Sequence, residues 1–195
     1  MAATNTDTAP ATTSKAQKAH RAEAEAVAPA PAATTVALNP KRVYWAAKVD
    51  DAGFAELTAG VHALIATTGY TQLVPKAGEF HATLLFMGKD RSKEAPIVAI
   101  NGRASALRIT RIVVTPRLAC AAVTIEDPQV AAVSHNACAH LTLALAPKVP
   151  AKESNDVLEA VAAGKAGQGW QVLDAMPSGT GAEPIRSVNS VVTAM

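Results

Sequence analysis

From Pro40 onward, the spacing of apolar residues along the chain changes period several times, and each change predicts an element. Arg42 to Val49 alternates apolar and polar residues well enough for a first strand. Asp50 or Asp51 then caps a helix running to about Thr67, with Phe54, Leu57, Val61, Leu64 and Ile65 at helical spacing and Gly69 ending it. A loop containing Pro75 and Gly78 leads into a strand that begins at His81. Ile97 to Ile100, Ala106 to Val114 and Leu118 to Ile125 read as further strands, the last two joined by a turn at Thr115-Pro116-Arg117. Another strand starts at His140. Ser154 or Asn155 then caps a helix to about Ala163, and short strands at Trp170 to Leu173 and Ile185 to Thr193 close the chain. Two strand–helix–strand units in succession predict an α+β fold made from a duplicated unit. Gly164 to Gly169 and Gly179 to Gly181 lack the strand–glycine–helix context of a phosphate loop and read as linkers.

Residues 1–38 break this pattern. They are rich in Ala, Thr and Pro, and they carry Lys15, Lys18 and Arg21 against Asp7, Glu23 and Glu25. Such a segment buries too little apolar surface to fold alone. The reading is a disordered arm over 1–38, held if at all by a protein or ribonucleoprotein partner, and a folded domain over 39–195.

Composition adds modest limits. Of 195 residues, 49% are apolar but only 4% aromatic, so the core must be built from Val, Leu, Ile and Ala. A net charge of +2 does not by itself imply a nucleic-acid partner. Charge is uneven, however: Lys89, Arg91, Lys93, Arg103, Arg108, Arg111 and Arg117 face only Asp90 and Glu94 over the same stretch. That stretch reads either as a phosphate-attracting patch or as a solvated loop and strand edge. Cys120 and Cys138 have neither metal-ligand spacing nor a disulfide framework and read as small buried hydrophobes, which fits a reducing compartment. The sequence has neither an apolar run long enough to span a membrane nor the layout of a secretory signal. The expected compartment is the cytoplasm, with the mitochondrion as the alternative.

Two strings carry the chemistry: His81-Ala82-Thr83-Leu84-Leu85-Phe86 and His140-Leu141-Thr142-Leu143-Ala144-Leu145. Side chains alternate with period two along a strand, so each His shares a face with its Thr. Two imidazoles and two hydroxyls brought together suit phosphodiester cleavage. One imidazole takes a proton from water, the other gives one to the leaving oxygen, and the hydroxyls hold phosphoryl oxygens. The plain alternative is that these are half-buried sheet residues. His62 and His135 lie outside such strings and read as bystanders. A zinc hydrolase using His81, His135 and His140 lacks a motif supplying the carboxylate or other further ligand.

The paired His-x-Thr strings resemble the two-histidine phosphoesterase superfamily. The flanking sequence is most similar to the catalytic domain of 2′,3′-cyclic-nucleotide 3′-phosphodiesterase and to the cyclic phosphodiesterase domain of tRNA ligases. Phe80-His81-Ala82-Thr83 resembles the first motif of that group, Ile109 to Pro116 the strand between the motifs, and Cys138 to Leu143 the second motif. Ser154 to Glu159 resembles the helix start that follows, and the likeness runs from about Lys41 to the C-terminus.

The resemblance implies two pseudo-symmetric lobes of antiparallel sheet backed by helices around a central cleft. It also implies metal-independent hydrolysis of 2′,3′-cyclic phosphates on RNA ends or nucleotides to 2′-phosphates, without a cofactor. His81 and His140 would be catalytic, with His140 taken as base and His81 as acid, an order that the sequence leaves open. Thr83 and Thr142 would bind substrate, and Arg108, Arg111 and Arg117 would contact phosphate or RNA. Three departures stand against the family pattern. Ala144 replaces a Gly and is expected on the His140 face, where its methyl would crowd a phosphate. The middle segment is short. Asn136-Ala137-Cys138 replaces a basic residue. Ala144, the short middle segment and the long N-terminal tail motivate the alternative of a catalytically retired subunit with a structural or RNA-binding role in a large assembly.

Overall fold

The computed structural model describes residues 44–87, 91–181 and 183–195. The expected 1–38 arm lies outside them, as does Lys89 of the basic stretch. The elements in chain order are β1 (Tyr44–Val49), α1 (Asp51–Thr68), β2 (Val74–Pro75), β3 (His81–Phe86), α2 (Glu94–Val98) and β4 (Ala104–Val114). They continue with β5 (Leu118–Ile125), α3 (Pro128–Val133), β6 (His140–Leu145), α4 (Glu153–Ala162), β7 (Gln171–Leu173) and β8 (Ser187–Ala194). No helix among the described residues is long and apolar enough to cross a membrane.

The fold is α+β, and every strand pair is antiparallel. The strands run β6-β3-β1-β8-β4-β5, and β5 pairs back onto β6, which closes an antiparallel 6-strand barrel. β2 extends from β6, and β7 from β4. The sequence reading expected the sheet in two lobes; the pairings of β6 with both β3 and β5 instead join the strands into one continuous sheet. Closure leaves no free edge between the two motif strands, which lie side by side.

Local chemistry explains most of the boundaries. Asp50 sits in extended backbone before α1, and its carboxylate accepts from the Gly53 amide at 2.8 Å. Leu57, Val61 and Leu64 recur at helical spacing and are fully buried, and Gly69 ends the helix at φ 74. Gly60 admits close approach to another segment: a Cβ there would lie 2.7 Å from the Pro177 carbonyl oxygen. The main core joins this helix to Trp45, Ala47, Leu84, Leu107, Ile112, Leu141 and Leu143. A smaller cluster, Val113, Leu118, Cys120, Val157 and Leu158, packs α4 against the sheet.

Three expectations need correcting. Ile97 to Ile100 is not a strand: Glu94–Val98 form the short helix α2, with Ile97 turned inward. A short apolar run does not separate helix from strand, and Pro96 falls in the first turn, where a missing amide costs nothing. Neither Ser154 nor Asn155 caps α4; the N-cap position is Lys152, without a side-chain cap bond, and Ser154 is buried inside the first turn. Helix α3 was not anticipated, although its signal was present: Asp127 accepts from the amides of Gln129 and Val130, with Pro128 opening the helix.

Candidate active site

The site is built on the seam between β3 and β6. Ala82 is paired with Leu141 across the strands, and both are fully buried. Alternation therefore places His81, Thr83, His140 and Thr142 together on the opposite face. All four line one cleft of about 970 Å³. The spacing read from the sequence thus places four polar side chains on one wall, backed by the apolar core.

Each histidine has a defined environment. His140 is buried, and its Nδ1 lies 2.8 Å from the Cys138 carbonyl oxygen. A carbonyl only accepts, so Nδ1 carries the proton and Nε2 is the ring's acceptor. His81 has Lys76 Nζ at 3.3 Å and Glu79 Oε1 at 3.5 Å, both measured to its Nδ1. The Tyr44 ring lies tilted against it, with centroids 5.3 Å apart. Burial, then the Lys76 charge, pull the His81 pKa down to about 4, with Glu79 opposing and His140 assisting. Lys76 itself is held below the usual ammonium range by burial, which Glu79 partly offsets.

The ring therefore exchanges partners when it charges. Neutral His81 accepts from Lys76 at Nδ1; charged His81 donates from Nδ1 to Glu79. Lys76→Met is expected to raise the His81 pKa and Glu79→Gln to lower it below about 4, both read by imidazole NMR titration. Because the unfolded ring takes up its proton near pH 6.5 and the folded ring only near 4, stability falls as pH drops through that window.

The hydroxyls differ as well. Thr142 is buried, and its Oγ1 lies 3.1 Å from Ser154 Oγ at the start of α4. Thr83 is less buried, and its backbone carbonyl accepts from the Asn136 side chain at 3.4 Å. Asn136 Oδ1 in turn accepts from the Cys138 amide at 3.2 Å. The segment that replaces the expected basic residue thus ties the carbonyl holding His140 back to β3.

Some expected contacts lie elsewhere. Arg108, Arg111 and Arg117 are exposed and do not line the cleft. Arg108 pairs with Glu126 at 3.3 Å, and Arg117 grips Glu153 at 2.6 and 2.9 Å. The basic groups lining the cleft are Lys76, Lys93 and Lys152. Ala144 does not face the cleft as expected. It is fully buried in the main core and paired with Ala119, and the register shifts between Ala119 and Cys120. Strand β6 takes up one extra residue there, which breaks the alternation that carries His140 and Thr142.

His135 lines the cleft as well, whereas His62 is exposed on α1. Among the described residues no three of His, Cys, Asp and Glu are grouped as a metal ion would require. Cys120 is buried, its thiol pushed up to about 12 by burial, and Cys138 is partly buried.

Sequence reasoning missed Lys76, Glu79 and Ser154. Glu79 had a signal, because it precedes His81 by two residues and shares its alternation. Lys76 arrives through β2, whose pairing with Leu145 and Ala144 continues into a bond from the Lys76 amide to the Leu143 carbonyl at 2.9 Å.

Comparison with known proteins follows this geometry. The model of the fungal tRNA ligase phosphodiesterase domain matches residues 87–176, a span that holds His140 and Thr142 but not the first motif. No curated protein matches the chain. Among solved structures, the chain is similar to one described as "Crystal Structure of Fungal RNA Kinase", at 15% identity and a TM-score of 0.49. The match covers 80% of this chain and 47% of that one, so this chain spans about half its length. Over residues 87–176, the chain is thus similar to the fungal tRNA ligase phosphodiesterase domain, a two-histidine phosphoesterase family.

Proposed function

We propose that this protein hydrolyses 2′,3′-cyclic phosphates at RNA ends to 2′-phosphates, without a metal ion. The observation that carries this reading is the convergence of His81, Thr83, His140 and Thr142 on one wall of one cleft. In this reading His140 Nε2 takes a proton from water as the water oxygen attacks phosphorus. The P–O3′ bond breaks, and O3′ leaves with a proton from His81. The products are a 3′-hydroxyl and a 2′-phosphate. The Thr83 and Thr142 hydroxyls donate to the non-bridging oxygens, where charge gathers in the transition state.

A His81 pKa of about 4 keeps the ring neutral in the empty site near pH 7. An anionic phosphate beside it opposes both burial and Lys76 and so shifts the ring toward the protonated form that the acid role needs. Lys76, Lys93 and Lys152 give the cleft the charge such an anion needs. Phe86, 68% exposed and lining the same cleft, offers a flat apolar face to the terminal base.

Ser154 supports Thr142: with the Ser154 hydroxyl donating to Thr142 Oγ1, the Thr142 proton is free to meet phosphate. Ser154→Ala is expected to lower kcat by about 3–10-fold, the size of one lost hydrogen bond, in a steady-state assay. The retired-subunit alternative drew on Ala144, which lies in the core and touches no phosphate position. Turnover of an RNA oligonucleotide ending in a 2′,3′-cyclic phosphate, with chelator present, tests the proposal. Sustained turnover is expected; no turnover would refute it.

A further inference from the structure

A second hollow, of about 350 Å³, lies next to the cleft and is lined by Pro150, Lys152, Glu153, Asp156, Val157 and Trp170. Lys152 lines both, so the two spaces meet at the start of α4. The volume falls at the small end of ligand sites, which occupy about 300–1,000 Å³.

The hollow has the character of a site for a flat, neutral group with N–H donors. Trp170 is partly buried against the α4 cluster and supplies an aromatic surface. The ring is supported from its own loop, since a Cβ on Gly167 would lie 2.7 Å from the indole Nε1. The loop is tethered by the Tyr70 hydroxyl, which donates to the Gly169 carbonyl. The Asp156 carboxylate borders the hollow as an acceptor. The Glu153 carboxylate is occupied by Arg117 in a two-point ion pair. Two carboxylates make the hollow unfavourable for a phosphate. The phosphate-attracting group is Lys152, on the boundary with the cleft.

We infer that this hollow is a nucleobase subsite that takes the penultimate base of an RNA substrate. The inference rests on the proposed activity of the cleft. A 2′,3′-cyclic phosphate ends its strand, so the remaining RNA extends only in the 5′ direction. The penultimate base stacks on Trp170, with its N–H-bearing edge toward Asp156. The phosphodiester that joins it to the terminal nucleotide crosses Lys152. Stacking accepts any base, so the subsite reads the presence of a second nucleotide rather than its identity.

The test compares an RNA oligonucleotide ending in a 2′,3′-cyclic phosphate with a 2′,3′-cyclic mononucleotide, using the full chain. Trp170→Ala is expected to lower kcat/KM for the oligonucleotide by about 5–100-fold, through KM. It should leave the mononucleotide unchanged, and Trp170→Phe should restore most of the loss. Equal losses on both substrates would make Trp170 merely structural and overturn the inference, as would no loss on either. Should the wild-type protein turn over neither substrate, the proposed activity falls. Fluorescence anisotropy with a labelled RNA oligonucleotide then decides the subsite alone. Binding weakened in Trp170→Ala supports it, and binding unchanged in that variant refutes it.

Discussion

Alanine at His81 or at His140 is expected to reduce hydrolysis of a 2′,3′-cyclic nucleotide by about 10²–10⁴-fold, the usual contribution of a positioned proton donor or acceptor. The two losses should combine far less than multiplicatively, because attack on phosphorus and departure of O3′ belong to one displacement. The His140 variant loses the acceptor that the Cys138 carbonyl orients. The His81 variant loses the group whose charge is set by Lys76 and Glu79. His62→Ala, on the exposed face of α1, serves as the control and should retain full turnover. Single-turnover rates with each purified variant provide the check. A variant at His81 or His140 that keeps wild-type rates would remove that residue from the mechanism.

The second large effect concerns the wall itself. Leu141→Ala is expected to destabilise the fold by about 2–5 kcal/mol, the range for emptying a large buried aliphatic position. Leu141 is fully buried within the second motif on β6, paired with Ala82 of β3 on one side and Ala121 of β5 on the other. Ala82 and Ala121 are too small to fill the vacated volume. A native stability of about 5–15 kcal/mol makes this loss easy to see as a shift in the urea midpoint. A midpoint that does not move would contradict the packing described behind the site.

The legible part of the fold was the part written in local periodicity. Helix α1 followed from Asp50, Gly69 and the Leu57–Val61–Leu64 spacing, and β5 was bounded correctly by Leu118 and Ile125. The shared face of the four motif residues was legible for the same reason, since alternation decides which side chains lie together. What the sequence left open depends on contacts between distant segments. Barrel closure requires β6 to pair with both β3 and β5, which no local pattern encodes. Ala144 was misplaced because a one-residue shift in register reverses a face, and nothing near Leu143 announces it. Lys76 reaches His81 only through the pairing of β2 with β6. Charge and proximity in sequence point to Arg108, Arg111 and Arg117, yet none of them lines the cleft, and two pair with Glu126 and Glu153.

The distribution of charge now has a physical account. Lysines line the cleft, where their point charges suit the phosphate of the proposed substrate, while Arg108 and Arg117 form ion pairs at the surface. Both ion pairs are well exposed, so each adds little to stability.

The most direct test of the central claim is the identity of the product. Incubation of an RNA oligonucleotide ending in a 2′,3′-cyclic phosphate, followed by ³¹P NMR in the presence of chelator, distinguishes the two monoesters. The account requires a 2′-phosphate with a free 3′-hydroxyl, formed by the wild-type protein and absent with His140→Ala. A 3′-phosphate product, or a cyclic phosphate that survives intact, would contradict it.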